Sequence, residues 1–349
     1  MTSKAMRSAV CLILLLGMTS ATAFAANKNR IGTAGAQELL IPVGARGVAM
    51  GPAAMVFARG VDAIYFNPAG LGRMEHPVQA MFSQMSYFAD INVSYGAIAV
   101  QAGEFGTLGF ALKTLSFGEI PVTTQAFPDG TGELYSPSYL TLGVTYAKQL
   151  TDRISVGITA NLVSERILSM TASGAAFNIG IQYQNLGIQG LALGIAVKNV
   201  GTNMRYDGSN AYVTANNPVD ARPDNPYKTE MAEFELPSNL EIGIGYSPRL
   251  DEKNLISLGA MFRNNNYSDD EYSLGAEYSF QDMFFLRGGY VFAPQASDDL
   301  EGQTGYPFDY TLGAGVHYNF GGIDLSVDYA YRHMDHFDGN NVFTFKVGF

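Results

Sequence analysis

The chain has 349 residues, of which 15% are charged and 12% are aromatic, and it contains 39 glycines and carries a formal net charge of −11. This negative charge argues against nucleic acid and anionic lipid surfaces as partners, because both repel a polyanion. Such high glycine and aromatic content with so few charges is unusual for a soluble globular protein. The composition therefore favours a large exported β-protein or a membrane barrel.

The first 25 residues are predicted to be a cleaved signal peptide. Lys4 and Arg7 precede an apolar run over residues 9–18, and Ala23-Phe24-Ala25 forms an A-x-A cleavage site. Cleavage before Ala26 would remove two basic residues and the single cysteine, Cys11. The mature chain would then lack disulfides and cysteine-based metal sites. No run of 18 apolar residues follows, so no transmembrane helix is predicted.

Residues 26–78 form a glycine- and alanine-rich segment without alternation, and a short helix is predicted near residues 36–40. Within it, Pro68 and Gly70 interrupt the aromatic stretch "DAIYFNPAGLGRM" at residues 62–74. Proline lacks the backbone N–H that a strand or helix interior needs, so this stretch is predicted to be irregular.

From residue 79 onward the apolar and polar residues alternate with a period of two, which is typical of β-strands. In "LTLGVTYAK", Leu140, Leu142 and Val144 lie on one face, while Thr141 and Gly143 lie on the other. Fourteen such segments are predicted, at 79–89, 92–101, 105–117, 134–149, 153–166, 172–183, 188–202, 236–247, 254–264, 270–281, 283–294, 308–319, 322–333 and 340–349.

The lengths of these segments and of their connections favour an outer-membrane β-barrel. Each segment is long enough to cross a bilayer, which needs roughly 9–11 residues. Links after even strands are mostly short and links after odd strands are mostly longer, which is expected if both termini are periplasmic. The largest link, 203–235, is predicted to be an external lid or docking surface. The fold class is therefore an all-β, fourteen-stranded antiparallel transmembrane barrel, formed by residues 79–349.

The segment 26–78 is predicted to be a plug, or hatch, inside this barrel. A barrel of this width has an interior too large for its own side chains to fill. Irregular backbone at membrane depth is tolerated only where protein shields it from lipid. The stretch "DAIYFNPAGLGRM" is predicted to hold the turn from the plug into the first strand.

Two motifs resemble the N-terminal signature of the PorV/PorQ family of FadL-like outer-membrane proteins. They are "IPVGARGVAMG" at 41–51 and "DAIYFNPAGLG" at 62–72. The resemblance implies a hatch motif at Asp62, Asn67, Pro68, Ala69 and Gly70. The last strand, "NVFTFKVGF", ends in Phe349, which resembles the C-terminal signal read by the barrel-assembly machinery.

The resemblance implies two functions, both in the bacterial outer membrane and in contact with its lipid. The lead prediction is passage of hydrophobic molecules, with a fatty-acid-like ligand. The alternative is an accessory or cargo-shuttle component of a type IX secretion system, with the translocon as partner. A transporter should show a hydrophobic pocket at the plug–wall junction and a lateral break in or near strand 3, whereas a secretion component should present a flat apolar outer wall.

Alternation also predicts which ionisable residues face the lumen. They are Lys113, Lys198, Glu241, Glu277, Arg287, His317, Asp324, Asp328 and Lys346. One hypothesis is that Arg287 or Lys346 holds a ligand carboxylate. The other is that the charges pair with the plug and with each other, as Glu277–Arg287 and Asp328–Lys346 on adjacent strands.

No enzymatic activity, cofactor or metal is predicted. The chain lacks G-x-S-x-G, H-E-x-x-H and phosphate-loop motifs. His333, Asp335, His336 and Asp338 cluster in "HMDHFDG", but their spacing matches no established metal motif.

Overall fold

The computed structural model of the protein describes residues 30–215, 225–294 and 307–349, so the predicted signal peptide lies outside the described residues. Fourteen long strands form one sheet. They are β1 (Val78–Ser86), β2 (Asn92–Gln101), β3 (Thr107–Ser116), β4 (Ser138–Gln149), β5 (Ile154–Ile167), β6 (Met170–Gln184), β7 (Leu191–Gly201), β8 (Asn239–Tyr246), β9 (Asn254–Asn265), β10 (Glu271–Phe280), β11 (Phe284–Phe292), β12 (Tyr310–Phe320), β13 (Ile323–Arg332) and β14 (Asn340–Gly348).

The sheet closes into a barrel. Each strand pairs antiparallel with its neighbours in sequence, and β1 pairs with β14 from Gln79↔Gly348 to Ser86↔Asn341. Closure leaves no open edge whose backbone groups would lack partners in lipid. One register shift occurs, on β6 between Phe177 and Ile179. The predicted fourteen-stranded antiparallel fold is confirmed.

The alternation of residues separates an apolar outer face from a polar inner face. On the outside, Leu162 and Leu286 are more than 60% exposed. On the inside, Thr145 and Thr159 are buried and their hydroxyls are 2.8 Å apart. This distribution matches a barrel whose outer wall contacts hydrocarbon. Among the described residues, no helix combines the length and the apolar character needed to cross a membrane.

The two ends of the barrel differ in their connections. We call the end that carries Val78 and Gly348 the turn end, and the opposite end the loop end. Links at the turn end are short, the shortest being Gly321-Gly322. The loop end carries the links 117–137, 202–238 and 293–309. The predicted sorting holds for these three long links, but Leu168-Ser169 at the loop end has two residues, and 247–253 at the turn end is longer than 87–91 and 266–270 at the loop end.

The strand bounds agree with the predicted ones to within a few residues. The largest difference is at β4, which begins at Ser138 and not at residue 134. Leu134–Tyr135 instead pairs with Ile120–Pro121 in a small ribbon of the preceding loop. Part of the 202–238 link is also ordered, since Tyr212–Ala215 pairs with Asn225–Lys228.

Short helical turns fill the barrel ahead of β1. They comprise α1 (Ala45–Ala49), α2 (Ala63–Phe66) and 3₁₀ turns at Gln37–Leu40, Pro52–Val56, Gly60–Asp62 and Pro68–Arg73. The predicted helix near 36–40 is thus a 3₁₀ turn. Ala45, Ala53 and Val61 are fully buried and belong to one core with the inner wall, while Ala36 and Leu39 pack in a second, smaller core. We call residues 30–77 the plug.

A belt of wall glycines receives the plug. A Cβ atom at Gly109, Gly157, Gly180, Gly194, Gly243, Gly259, Gly275, Gly289 or Gly313 would meet plug atoms at less than 3 Å. These positions lie on β3 and on every strand from β5 to β12. The absence of a side chain at each one therefore provides the space that plug side chains and, at Gly157, Gly275 and Gly289, the plug backbone occupy.

Candidate functional site

Six charged side chains connect the plug to the barrel wall, and we call this group the plug latch. Arg46 of α1 donates from Nε and Nη2 to the two carboxylate oxygens of Glu277 on β10, at 3.0 Å each. Arg287 on β11 donates to Glu277 at 2.6 Å and to Asp328 on β13 at 2.6 Å. Such paired, charge-assisted bonds are strong and fix geometry.

Asp62 of the plug and Lys346 of the wall are the other two members of the plug latch, and they form the second plug–wall contact. The Lys346 ammonium on β14 donates to Asp62 at 2.7 Å, and the Asp62 side chain is 7% exposed. Burial alone raises the pKa of Asp62, but the charges of Lys346 and Arg46 outweigh it and hold that pKa below its ordinary value. Asp62 is therefore ionised at neutral pH.

A glycine of β12 allows Arg287 on β11 to reach Asp328 on β13, its second partner. Arg287 lies opposite Gly313 on β12, and Gly315 lies opposite Asp328 on β13. A Cβ atom at Gly315 would overlap the Asp328 carboxylate and lie 2.7 Å from Arg287 Nη1. Glycine at this position thus lets the guanidinium cross one strand.

The predicted lumen charges are all turned inward, but their pairing differs in part from the prediction. The Glu277–Arg287 pair is present. The Asp328–Lys346 pair is wrong, because Asp328 binds Arg287 and Lys346 binds the plug residue Asp62. The hypothesis that Arg287 holds a ligand carboxylate is weakened, since two wall carboxylates already occupy its guanidinium.

The Asn-Pro-Ala motif lies against the wall opposite to β1. Asn67 is fully buried, accepts a hydrogen bond from Ala69 N at 3.1 Å and caps the turn Pro68–Arg73. Its amide donates to the carbonyls of Ile181 on β6 and Ile195 on β7, at 3.2 and 3.4 Å. The prediction that this stretch holds the turn into β1 is therefore wrong for its central residues.

The remaining motif residues complete this docking. A Cβ atom at Gly157 on β5 would overlap the Pro68 backbone, and one at Gly180 on β6 would overlap Asn67 Oδ1. Gly70 lies so close to the Ala58 carbonyl that a Cβ there would overlap it. The motif therefore fixes the plug to β5–β7, while Asp62 fixes it to β14 on the other side.

A polar cavity of about 440 Å³ lies between the plug and β8–β14 at the turn end. His76, His317 and Asp324 line it, and Asp324 is in contact with His76 and 3.3 Å from His317 Nε2. Plug latch residues Arg46 and Lys346 also line it. This cavity is charged, so it is not the hydrophobic pocket expected of a transporter.

A second charged group lies between the plug and β3–β7. Lys113 on β3 donates to the carbonyls of Glu38 and Ile41, at 2.5 and 2.6 Å. Lys113 and Lys198 lie 5.2 and 4.5 Å from the centroid of the Tyr65 ring, within cation–π range. Lys198 also lies 3.5 Å from Glu241.

Glu38 and Glu165 form a buried carboxyl pair that the sequence analysis missed. They are 2% and 4% exposed, and Glu165 accepts a hydrogen bond from Tyr206 of the β7–β8 link. Burial first, and then the Glu165 charge, raise the pKa of Glu38 to about 8. Alternation alone would have placed Glu165 in the lumen, since it follows Asn161 and Val163 in steps of two.

His333, from the histidine cluster of the β13–β14 link, contacts residues at the start of β12. His333 Nδ1 lies 2.7 Å from Asp309, and its ring stacks on Tyr310. Within the described ranges, no three His, Cys, Asp or Glu residues are arranged to hold a metal ion. The last strand ends with Phe349 exposed on the outer face and its backbone paired with Val78.

Solved structures of hydrocarbon channels share this fold. The toluene transporter TodX of Pseudomonas putida is 12% identical, and the match covers 86% of this chain and 95% of that chain with a TM-score of 0.53. The CymD monoaromatic hydrocarbon channel is 14% identical over 86% of this chain and 96% of that chain, with a TM-score of 0.50. No protein-family model and no curated protein matches the chain.

At these identities the likeness defines the fold and not the substrate. The chain is a closed fourteen-stranded antiparallel β-barrel that shares the fold of these channels over most of its length.

Proposed function

We propose that this protein acts in the bacterial outer membrane as a plugged channel for hydrophobic small molecules. The observation that carries the proposal is the fold shared with TodX and CymD, which are named for toluene and for monoaromatic hydrocarbons. Short turns of such barrels face the periplasm, so the loop end would face the exterior.

Aromatic side chains at the loop end support capture of an apolar ligand. The rings of Phe88 and Phe337 are 5.2 Å apart, and those of Tyr87 and Phe308 are 6.4 Å apart. Phe337 is 53% exposed, and Tyr87 packs against the core that the plug shares with the wall. An apolar ligand could therefore collect above the plug on a surface that continues toward it.

Passage would require the plug to move, because it occupies the belt of wall glycines around most of the barrel. The plug latch and the Asn67 contacts hold it on opposite walls. We therefore expect a conducting state in which at least one of these two attachments is released.

Two features differ from those expected of a transporter, and the secretion role stays the second candidate function. Strand β3 pairs without interruption with β2 and β4, so the lateral break expected of a transporter is not present there. The 440 Å³ cavity is charged and not apolar. A barrel that does not conduct would use its apolar outer wall and the 202–238 link to contact a translocon.

Native mass spectrometry of the protein, extracted gently from its own membrane, separates the two functions. A monomer that carries an apolar adduct supports the channel. A complex with a much larger outer-membrane protein, without an adduct, supports the secretion role and contradicts the channel. Uptake of radiolabelled oleate and toluene by cells that express the protein, compared with cells that do not, is the second readout.

Export and assembly follow from the two chain ends in this proposal. The mature protein would begin at Ala26, and Phe349 would present the last strand to the assembly machinery. N-terminal sequencing of the membrane-extracted protein tests the first statement. Deletion of Phe349 should lower the amount of heat-modifiable barrel in the outer membrane, whereas an unchanged amount would contradict the second.

A further inference from the structure

A small cavity lies between Tyr65 of the plug and the wall strands β2–β7. Its volume is about 40 Å³, and its polar lining includes Tyr95, Lys113, Thr141, Asn161 and Lys198. One water needs roughly 10–15 Å³ in this measure, so the space fits a few waters or one halide ion. It is separate from the charged cavity at the turn end.

Three of the lining residues form a row across adjacent strands. Tyr95 on β2 lies opposite Lys113 on β3, which lies opposite Thr141 on β4. Tyr95 and Thr141 are 4% and 8% exposed, and their hydroxyls have no hydrogen-bond partner among the described residues. Since buried polar groups are almost always hydrogen-bonded, these two hydroxyls indicate an occupant of the cavity.

The charge of the lining identifies the kind of occupant. Two ammonium groups border the cavity and no carboxylate does. Lys113 is bonded to two neutral carbonyls, and the Glu241 carboxylate near Lys198 is also bound by Arg263 at 2.9 Å. The cavity therefore has an excess of hydrogen-bond donors and of positive charge, which favours an anion over a cation.

We propose that this cavity binds a small inorganic anion of about the size of chloride. Lys113 and Lys198 supply the charge, and Tyr95 and Thr141 donate hydrogen bonds. The two ammonium groups and the hydroxyls of the lining distinguish it from a site for an apolar transported ligand. Because Tyr65 of the plug forms one wall of the cavity, the bound ion would link the plug to β2–β7 and make its seating depend on halide.

The test compares unfolding of the purified full-length mature protein in sodium chloride and in sodium gluconate at equal ionic strength. Gluconate is too large for the cavity. Wild type should unfold at a midpoint several degrees higher in chloride, because a ligand bound only to the folded state stabilises it. The Tyr95→Phe/Thr141→Val double variant, which keeps both lysines, should lose this difference. Lys198→Met should lose it as well.

Lys228→Met is the control, since it removes an ammonium of an exposed loop, outside both the cavity and the plug latch, and should retain the chloride effect. Bromide-soaked crystals supply the direct readout, with an anomalous peak expected between Tyr65 and the β3–β4 wall. The proposal is overturned if wild type unfolds at the same midpoint in both salts, or if the cavity contains only water when bromide is present.

Discussion

Asp62 of the plug and Lys346 of the last strand lie 284 positions apart in the chain, yet their Oδ2 and Nζ atoms are 2.7 Å apart. This contact joins the irregular N-terminal segment to the strand that closes the barrel. Together with Arg46–Glu277, it gives the plug two ionic attachments to the same half of the wall. Four predictions concern the attachment of the plug to the wall and its movement during transport.

Removing Lys346 should loosen the plug more than removing a surface cation does. Lys346→Met leaves the buried Asp62 carboxylate without its closest partner, a kind of change that costs about 3–5 kcal/mol. The Asp62→Asn/Lys346→Met double variant should recover most of this loss, because no unpaired charge remains. The measurement is the urea midpoint together with the rate of tryptic cleavage at Arg46.

Lys228→Met is the control for this change. Lys228 pairs with Asp207 on exposed loops, where an ion pair is worth about 0–1 kcal/mol. If Lys346→Met behaves like Lys228→Met, the plug latch does not hold the plug.

An added methyl group at Gly180 should displace the Asn67 attachment. A Cβ there would overlap Asn67 Oδ1 and lie 2.9 Å from Pro68 Cδ, so Gly180→Ala should destabilise the seated plug by about 1–3 kcal/mol. Gly96→Ala on β2 is the matched control, since no atom lies within 4 Å of its added Cβ. Equal protease resistance of the plug in both variants would contradict the docking role of the motif.

The Glu38–Glu165 pair should make plug seating weaken as pH rises. The pKa of Glu38 is raised to about 8, so the folded state keeps a proton that the unfolded chain releases near pH 4.5. The stability that the protonated Glu38 contributes is fully present below about pH 4.5. It decreases as the pH rises from about 4.5 to about 8 and does not change further above that pH. Asp62 acts in the opposite sense, because its lowered pKa removes stability only as the pH falls through strongly acidic values.

Glu38→Gln isolates the contribution of this pair. The variant should flatten the decline in urea midpoint between pH 5 and pH 8 and should be more stable than wild type at pH 8. Tyr206, Tyr139 and Lys113 also face this pair, so Tyr206→Phe, which removes a donor to Glu165, is the companion variant. A pH profile of Glu38→Gln that parallels wild type would rule out this pair as the cause.

A disulfide between plug and wall should stop transport if the plug has to move. An ideal Cβ at Gly259 on β9 lies 3.5 Å from the Ala53 Cβ, within the range that a disulfide requires. The Phe57 ring, 2.8 Å from the same Cβ, must shift to admit it. Ala53→Cys/Gly259→Cys should take up labelled oleate or toluene only after reduction, with each single variant as control. Uptake by the oxidised double variant would show that transport does not require the plug to move.

Much of the barrel could be predicted from alternation alone. Lipid outside and a polar lumen inside impose opposite demands on successive residues of each strand. The pattern in "LTLGVTYAK" is therefore enough to locate β4, and the same alternation in β3, β10 and β11 orients Lys113, Glu277 and Arg287 inward. The start of β4 was misplaced because the ribbon residues Leu134 and Tyr135 have the same β-forming character as a membrane strand.

The partners of the lumen residues could not be predicted in the same way. Adjacent strands correctly suggested Glu277–Arg287, since neighbouring strands in sequence are neighbours in the barrel. They wrongly suggested Asp328–Lys346, because the competing partner of Lys346 belongs to the plug, whose path no local pattern describes.

The sequence by itself determined the strands, their inner and outer faces and the presence of a non-alternating N-terminal segment, since each depends on rules that operate over a few residues. Only the tertiary structure decided where that segment docks: Asn67 against β6 and β7, Asp62 against β14, and the plug residues along the glycine belt. The Asn67 and Asp62 contacts join residues more than a hundred positions apart, and no rule that operates over a few residues can specify such partners.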